Sequence, residues 1–224
     1  MNNLNHIAFI MDGNGRWGLK KKGSRNFGHL EGVKTVQKIV EASIFFKIPV
    51  ITFYVFSSEN WKRPKTEINY LFNLIKIYFK KEINNIIKNN IKINIFGRLN
   101  NLPVEIKKTL TSAIKKTKKN NKLTINLAIN YGSKNEIIDS IKKISFKSKK
   151  LTEENINRNL YLNLPFPDIL IRTGGQTRLS NFMLWQLAYT EIFFLKKLWP
   201  DFSKVDLNRI IKKFHKVKRN FGSI

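Results

Sequence analysis

Residues 6 to 18 read HIAFIMDGNGRWG, and this stretch decides the fold that we predict for the chain. The run from Ile7 to Met11 is apolar without alternation, which is typical of a parallel strand that is covered on both faces. It stops at Asp12, and Gly13-Asn14-Gly15 then allow a sharp turn whose N–H groups point outward. Ligands of open α/β sheets bind just beyond such strand ends. A carboxylate, glycine N–H groups and Arg16 at one point suit a diphosphate with Mg²⁺.

Two other interpretations of these glycines need weighing. Gly13, Gly15 and Gly18 match G-x-G-x-x-G, the pattern of dinucleotide-binding proteins. That pattern requires an acidic residue about 20 positions further on, at the end of a second strand. Here that region is predicted to be helical and the next strand ends near Phe56, so we reject a dinucleotide site. A glycine turn that serves only the fold stays open as the alternative.

Composition limits the class of protein. A chain of 224 residues with 42% hydrophobic content can bury one sizeable core, so we expect a single domain over residues 1–224. The absence of cysteine excludes disulfides, thiolate metal sites and cysteine nucleophiles. The N-terminus lacks a signal pattern, and the longest apolar run, residues 48–56, is too short to span a membrane. We therefore expect a soluble, cytoplasmic protein.

The formal net charge of +27 suggests an anionic partner. Nucleic acid is one alternative, but the lysines are scattered through every predicted helix and loop. No recognition helix or basic tail stands out from them. An anionic small substrate, with peripheral contact to an anionic membrane surface, fits the charge as well. We therefore favour no nucleic acid partner, and a residue-usage bias across the chain is a further explanation of the charge.

The hydrophobic pattern alternates between strands and helices along the whole chain. We predict further strands at 50–56, 91–96, 123–130, 168–172 and 191–195, and helices at 29–46, 67–88, 103–119 and 206–219, with two more from Lys134 and Thr152. This order predicts an α/β fold with a six-stranded, mainly parallel sheet flanked by helices.

Polar side chains collect after three of these strands, and in a parallel sheet the strand ends share one edge. Arginines suit a diphosphate because their planar fork donates two hydrogen bonds at once. Several arginines in three clusters indicate two phosphorylated groups rather than one. Asp12, Glu59 and Glu191 are the carboxylates near this edge that could hold Mg²⁺, and His29 could contact an anion. The three clusters are residues 12–16 with Arg25, residues 57–63, and Arg172 with Arg178 and Ser180.

Three motifs resemble a known family, the cis-prenyltransferases. They are HIAFIMDGNGRW, FSSENWKRP and IRTGGQTRLSNFMLWQLAYTEIFF with the following LWPDF, and the resemblance runs from residue 6 to about 221. It implies a Mg²⁺-dependent homodimeric enzyme that condenses isopentenyl diphosphate onto an allylic prenyl diphosphate such as farnesyl diphosphate. The implied product is a long-chain Z-polyprenyl diphosphate such as undecaprenyl diphosphate, the carrier-lipid precursor for cell-wall synthesis.

The resemblance also implies roles for individual residues. Asp12 and Asn60 match catalytic positions, and Asp12 and Glu191 match Mg²⁺ ligands, the second supplied across or near the dimer interface. A neutral amide is a very weak base, so we expect Asn60 to orient isopentenyl diphosphate while a phosphate oxygen takes the proton. The implied substrate-binding residues are Gly13, Asn14, Gly15, Arg16, Trp17, Arg25, His29, Ser57, Ser58, Glu59, Trp61, Arg63, Arg172, Arg178, Leu179 and Ser180.

One departure from the family pattern concerns the metal. Many bacterial members carry Glu and His where this chain has Gln176 and Thr177, and that His belongs to the metal site of some relatives, so the resemblance does not imply the same metal geometry here. A non-catalytic subunit of the same family is the competing interpretation. Such a subunit would be expected to lack Asp12, which is present.

The growing lipid needs an apolar tunnel. The broad apolar face of residues 68–87 has two interpretations, an ordinary buried helix or a pocket wall. The resemblance favours the wall, together with the helix at 30–46 and with Phe45 and Phe46. We expect Phe72 and Phe79 to line it.

Overall fold

A parallel β-sheet of six strands forms the centre of the computed structural model, which describes residues 3–218. The strands are β1 His6–Ile10, β2 Val50–Ser57, β3 Ile91–Phe96, β4 Leu123–Tyr131, β5 Ile169–Arg172 and β6 Glu191–Phe194. They lie in the order β3-β4-β2-β1-β5-β6, and each neighbouring pair is parallel. The predicted six-stranded parallel sheet is confirmed.

Helices connect the strands and cover the sheet. They are α1 Asn14–Lys22, α2 Arg25–Phe45, α3 Lys65–Lys88, α4 Val104–Thr117, α5 Ser133–Phe146, α6 Glu153–Asn159 and α7 Lys204–Phe214, with short 3₁₀ turns at Ser58–Lys62, Leu99–Asn101 and Trp199–Asp201. Within residues 3–218, none of these helices has the length and apolar character needed to cross a membrane. The predicted last helix ends at Phe214 rather than at residue 219, which lies outside the described residues.

Helix α1 and the first turn of α2 lie before residue 29, where the sequence analysis predicted that the first helix begins. Gly13, the residue before α1, has φ +109°, a conformation that side-chain-bearing residues rarely adopt. Gly18 and Gly28 let α1 and α2 approach closely, since a Cβ at Gly18 would lie 2.5 Å from the Gly28 nitrogen. Tertiary packing therefore stabilises a helix whose glycines disfavour it locally.

The apolar strands bury residues on both faces of the sheet. In β1, Ile7 and Phe9 belong to the larger core, which also contains residues of α2, α3, α4 and α7. Ala8 and Ile10 belong to a second core on the opposite face, with Phe182. Because β1 lies between β2 and β5, the segments that follow all three strands meet at one edge of the sheet.

Candidate active site

A cavity of about 580 Å³ opens at the carboxyl ends of β1, β2 and β5. Its lining changes from polar to apolar. The polar part contains thirteen residues that the sequence predicted as site residues: Asp12, Gly13, Asn14, Gly15, Arg16, Arg25, His29, Ser57, Asn60, Arg63, Arg172, Arg178 and Ser180. The three polar clusters thus form one site.

Asp12 is held by two arginines at the end of β1. Its Oδ1 accepts a hydrogen bond from Arg16 Nη2 at 3.1 Å, and its Oδ2 accepts one from Arg172 Nη2 at 2.9 Å. The backbone of Asp12 is fixed by Thr173, whose hydroxyl donates to the Asp12 carbonyl at 2.8 Å. Arg16 also donates to the Gly174 carbonyl at 2.8 Å, which ties the turn after β1 to the turn after β5.

Arg172 is the most buried cation at the site, with only 3% of its surface exposed. Besides Asp12, its Nη1 donates to Ser180 Oγ at 2.8 Å and to the Arg178 carbonyl oxygen. Its Nε has no hydrogen-bond partner. Arg178 is exposed and donates to Gln176 Oε1 at 2.5 Å. The β5 end therefore offers one fixed and one exposed guanidinium group to an anion.

Glu67, in the first turn of α3, contacts two further arginines of the cavity and His29. Its Oε1 accepts from His29 Nε2 at 3.2 Å and from Arg63 Nη1 at 3.1 Å, and Arg25 donates from Nε to its Oε2 at 3.1 Å. The sequence analysis missed Glu67. Its spacing of four residues from Arg63 was the available signal, but Arg25 and His29 are distant in sequence.

Asn60 forms a capping box at the 3₁₀ turn after β2. Its Oδ1 accepts a hydrogen bond from the backbone N–H of Ser57 at 3.1 Å. Because that oxygen is engaged, the amide NH₂ group is the part of Asn60 that remains to contact a ligand in the cavity. The orienting role that we expect for Asn60 stays a prediction.

The apolar part of the cavity lies between α2, α3 and the sheet. Its lining residues are Val33, Val36, Leu71, Leu74, Ile75, Tyr78, Phe79, Leu127 and Ile129. Phe79 lies where we expected it. Three other expectations were wrong: Phe72 packs into the core against Phe56 and Trp61, Phe46 packs against the larger core, and Phe45 is 67% exposed with Lys204 Nζ 3.3 Å above its ring.

Six predicted site residues do not line this cavity. Trp17 stacks on Phe27 and donates to Asp201 at 2.7 Å, and Ser58 lies against Gly132. Glu59 accepts from Asn181 Nδ2 at 2.9 Å, Trp61 donates to Asn130 Oδ1 at 2.8 Å, and Leu179 packs against the second core. The sixth is Glu191, which begins β6.

The structure does not bring Glu191 to Asp12 within one chain. Glu191 pairs with Ile169 at the start of β5, whereas Arg172 at its end reaches the cavity. Three residues of strand separate the two levels, about 10 Å. Across residues 3–218, no group of three or more His, Cys, Asp or Glu side chains is placed to hold a metal ion. Within one chain, Asp12 is the predicted metal ligand that lies in the cavity.

Comparison with known proteins agrees with this geometry. Residues 10–222 match the family model described as "Putative undecaprenyl diphosphate synthase". An isoprenyl transferase of Rickettsia bellii is 47% identical over 224 residues, covering 99% of both chains. One of Fusobacterium nucleatum is 43% identical over 220 residues, covering 98% of this chain and 96% of the relative.

Two solved structures share the fold over nearly the whole length. The crystal structure of a probable undecaprenyl diphosphate synthase from Campylobacter jejuni has a TM-score of 0.87 at 38% identity and covers 100% of both chains. That of lavandulyl diphosphate synthase from Lavandula x intermedia, in complex with dimethylallyl diphosphate, has a TM-score of 0.94 at 28% identity and covers 98% of both.

The parallel sheet and the cavity at its carboxyl edge define an α/β protein with a candidate ligand site where three strands end. The chain belongs to the undecaprenyl diphosphate synthase family and is a cis-prenyltransferase.

Proposed function

We propose that this enzyme elongates an allylic diphosphate, farnesyl diphosphate, with successive units of isopentenyl diphosphate. The product is a long-chain Z-polyprenyl diphosphate such as undecaprenyl diphosphate, the carrier-lipid precursor for cell-wall synthesis. One observation carries the proposal: a single cavity is cationic in one part and apolar in the other. A prenyl diphosphate has the same two parts. The dimethylallyl diphosphate bound by the lavandulyl diphosphate synthase supports an allylic substrate here.

Positive charge in the polar part stabilises the departing diphosphate. Arg16, Arg25, Arg63, Arg172 and Arg178 line the cavity, whereas Asp12 is the carboxylate among the lining residues. Negative charge develops on the diphosphate as the allylic C–O bond breaks. Preorganised cations act most strongly where such charge appears, because they need no rearrangement during the step.

The residues of the cavity fit a bound Mg²⁺. Asp12 supplies a carboxylate, and the Asn14 Oδ1 oxygen is buried without a hydrogen-bond partner in the same cavity lining. Mg²⁺ prefers oxygen ligands and commonly keeps only one or two protein carboxylates, with water and phosphate oxygens completing the set. Asp12 would hold the ion, which when bound supplies further positive charge to the diphosphate.

Carbon–carbon bond formation follows ionisation. The double bond of isopentenyl diphosphate attacks C1 of the allylic cation, and a proton leaves the new adduct to restore a double bond. Asn60, whose NH₂ group remains available to a ligand, orients the isopentenyl diphosphate, and a diphosphate oxygen accepts the proton. Arg172, Arg178 and Ser180 bind the isopentenyl diphosphate. The turn after β1, together with Arg25 and His29, binds the allylic diphosphate.

The apolar part of the cavity holds the growing prenyl chain. Side chains from α2 and α3 exclude water from it, and they keep the hydrocarbon next to the reacting diphosphate. Each cycle adds five carbons, so the chain must extend along α3 towards residues beyond Phe79. This lining is our candidate for the wall of a tunnel that limits product length.

We also propose a homodimer and a peripheral membrane contact. Strand β6 is an edge strand, and Ile192 and Phe194 on it are 37% and 38% exposed. Exposed apolar edges of this kind favour pairing with a second copy. Such a partner is required if Glu191 is to reach a metal. The net charge of +27 suits an anionic membrane surface, to which a lipid product must pass, and requires no nucleic acid.

Incorporation of labelled isopentenyl diphosphate into butanol-extractable lipid tests the proposal. With farnesyl diphosphate and Mg²⁺ we expect label in the lipid, no label after chelation, and about 10²–10³-fold less with Asp12→Asn. Glu154→Gln, on the exposed surface of α6, is the matched control and should keep full incorporation. Chromatography of the same extracts gives the product length. Absence of label with every allylic primer would overturn the proposal.

A further inference from the structure

Glu67 is a buried carboxylate that touches three residues of the cavity wall without lining the cavity itself. It is 8% exposed, and its two oxygens accept hydrogen bonds from Arg25, His29 and Arg63 at 3.1 to 3.3 Å. All three donors line the cavity. Glu67 can therefore affect a ligand only through the groups that it holds.

These contacts join two separate parts of the chain. Arg25 and His29 lie in the first two turns of α2, whereas Arg63 and Glu67 lie where the segment after β2 enters α3. The Glu67 carboxylate lies 42 residues from Arg25 in sequence. It thus fixes the positions of cations from two elements relative to each other.

The charges explain why these groups stay together. Burial raises the pKa of Glu67, but the hydrogen bond from Arg25 and the charges of Arg25 and Arg63 outweigh it, so the pKa lies below its usual value. The carboxylate is ionised at neutral pH and can only accept hydrogen bonds. Without it, two guanidinium groups would repel each other beside His29 in a partly buried site.

The carboxylate also selects one form of the His29 ring. Burial lowers the pKa of His29, while the hydrogen bond to Glu67 opposes that effect in part. The ring is therefore neutral at pH 7, and its Nε2 must carry the proton that it donates to Glu67. This leaves Nδ1 as the acceptor nitrogen of the ring.

We infer that Glu67 is the positioning residue of the allylic diphosphate pocket: it holds Arg25, Arg63 and the His29 ring in the arrangement that receives the diphosphate. The inference rests on the proposed function for the identity of the substrate. It does not require Glu67 to touch that substrate. Its removal should weaken allylic diphosphate binding and leave the isopentenyl diphosphate pocket, around Arg172, intact.

Steady-state kinetics of Glu67→Gln test this inference. We expect the KM for farnesyl diphosphate to rise about 10-fold to 100-fold, because the amide would keep the shape of the side chain but lose the charge that orders two arginines. The KM for isopentenyl diphosphate should stay within about twofold. Glu105→Gln is the matched control, since Glu105 also lies in the first turn of a helix and pairs with a lysine, Lys76, on the exposed surface. An unchanged KM for farnesyl diphosphate, or an equal rise for both substrates, would overturn the inference.

Calorimetric titration with inorganic diphosphate gives a readout that does not depend on turnover. Wild type should bind the ion more tightly than Glu67→Gln by a similar factor, and Glu105→Gln should match wild type. Weaker binding by Glu67→Gln with no prenyl transfer by wild type would refute the proposed function and keep the positioning role. Equal binding would refute the positioning role. If Glu67→Gln fails to fold, Glu67→Asp replaces it, and a KM for farnesyl diphosphate equal to that of wild type would then overturn the inference.

Discussion

Glu67 and Glu136 are two buried glutamates that lie in the first turn of a helix, yet their hydrogen-bond donors differ in kind. Glu67 accepts from Arg25, Arg63 and the His29 ring. Glu136 is 1% exposed and accepts from neutral groups: Tyr131 OH at 2.5 Å, Gln186 Nε2 at 2.8 Å and Tyr161 N–H at 2.9 Å. Glu67 lies on the side of the larger core, and Glu136 lies on the side of the second.

The donors around Glu67 form part of a site that can bind a ligand, whereas the donors around Glu136 form only an internal contact of the fold. The cations around Glu67 face a cavity of about 580 Å³ and still have donors to offer, so an anion can join them. The space beside Glu136 is only about 20 Å³, enough for one water molecule. Burial of a carboxylate alone thus does not indicate function. Function is indicated when the hydrogen-bond donors of the carboxylate are charged and face an open cavity.

Replacement of Arg172 by lysine should give the largest effect on activity. Arg172 lines the same cavity as the cations around Glu67. Arg172 reaches Asp12 Oδ2 and Ser180 Oγ from two different nitrogens, and lysine has only one. Loss of a hydrogen bond to a charged group costs about 1.5–3 kcal/mol. We expect kcat/KM for isopentenyl diphosphate to fall about 10-fold to 160-fold. Steady-state kinetics with both substrates measure it.

Arg98→Lys is the matched control for this prediction. Arg98 holds Asp139 with two hydrogen bonds of 2.8 and 3.0 Å and does not line the cavity. The Arg98→Lys enzyme should keep the kcat/KM of wild type, while its free energy of unfolding should decrease. Equal losses of activity in the two variants would show that the guanidinium groups act only through the fold, and the comparison would fail.

The sequence was sufficient to predict the sheet and most of the cavity, because both depend on local pattern and topology. The apolar runs of β1 and β2 are visible directly. Once the strands are parallel, the polar residues that follow them must share an edge. Eleven of the thirteen predicted residues that line the cavity lie at or after a strand end, and line it for this reason. Arg25 and His29 reach the cavity from α2. The roles of the thirteen residues in binding and catalysis stay predictions.

Tertiary contacts explain what the sequence analysis missed. Helix α1 contains Gly15 and Gly18, which disfavour a helix locally, and its packing against Gly28 is visible only in the fold. Glu67 contacts His29 across 38 residues of sequence. Phe72 shares the apolar face of α3 with Phe79, but helical periodicity does not tell which side chain meets the core and which meets the cavity.

Glu136→Gln should give the next largest effect, on stability rather than on activity. The amide has one acceptor oxygen where the carboxylate has two, so its NH₂ group would face a hydrogen-bond donor in a buried site. We expect the free energy of unfolding to fall by about 2–3 kcal/mol. Urea unfolding measures this loss. Under conditions in which wild type and Glu136→Gln are both folded, their kcat/KM values should be equal. A loss of activity in the folded variant would place Glu136 in the active site.

The smallest predicted effect is the pH dependence of stability that comes from His6. His6 lines the same small space as Glu136. His6 is 1% exposed; its Nδ1 donates to the Pro165 carbonyl at 2.6 Å, so its Nε2 accepts from Thr52 Oγ1 at 2.6 Å. Burial lowers the pKa of His6 from 6.5 to about 4, despite the hydrogen bond to Pro165 and the charge of Asp168. Below pH 6.5 the unfolded chain therefore binds a proton that the folded chain takes up only near pH 4, and stability falls across that interval.

This contribution can be isolated by comparing two pH values. Between pH 7 and 5.5 the His6 contribution should fall by about 1 kcal/mol. His6→Gln cannot take up the proton, so its free energy of unfolding should fall by about 1 kcal/mol less than that of wild type over the same interval. Urea unfolding of both proteins at the two pH values measures the difference in slope, which does not depend on how much the substitution itself destabilises the fold. Parallel losses would mean that His6 takes up its proton over the same pH range in the folded and the unfolded chain, and the prediction would then be wrong.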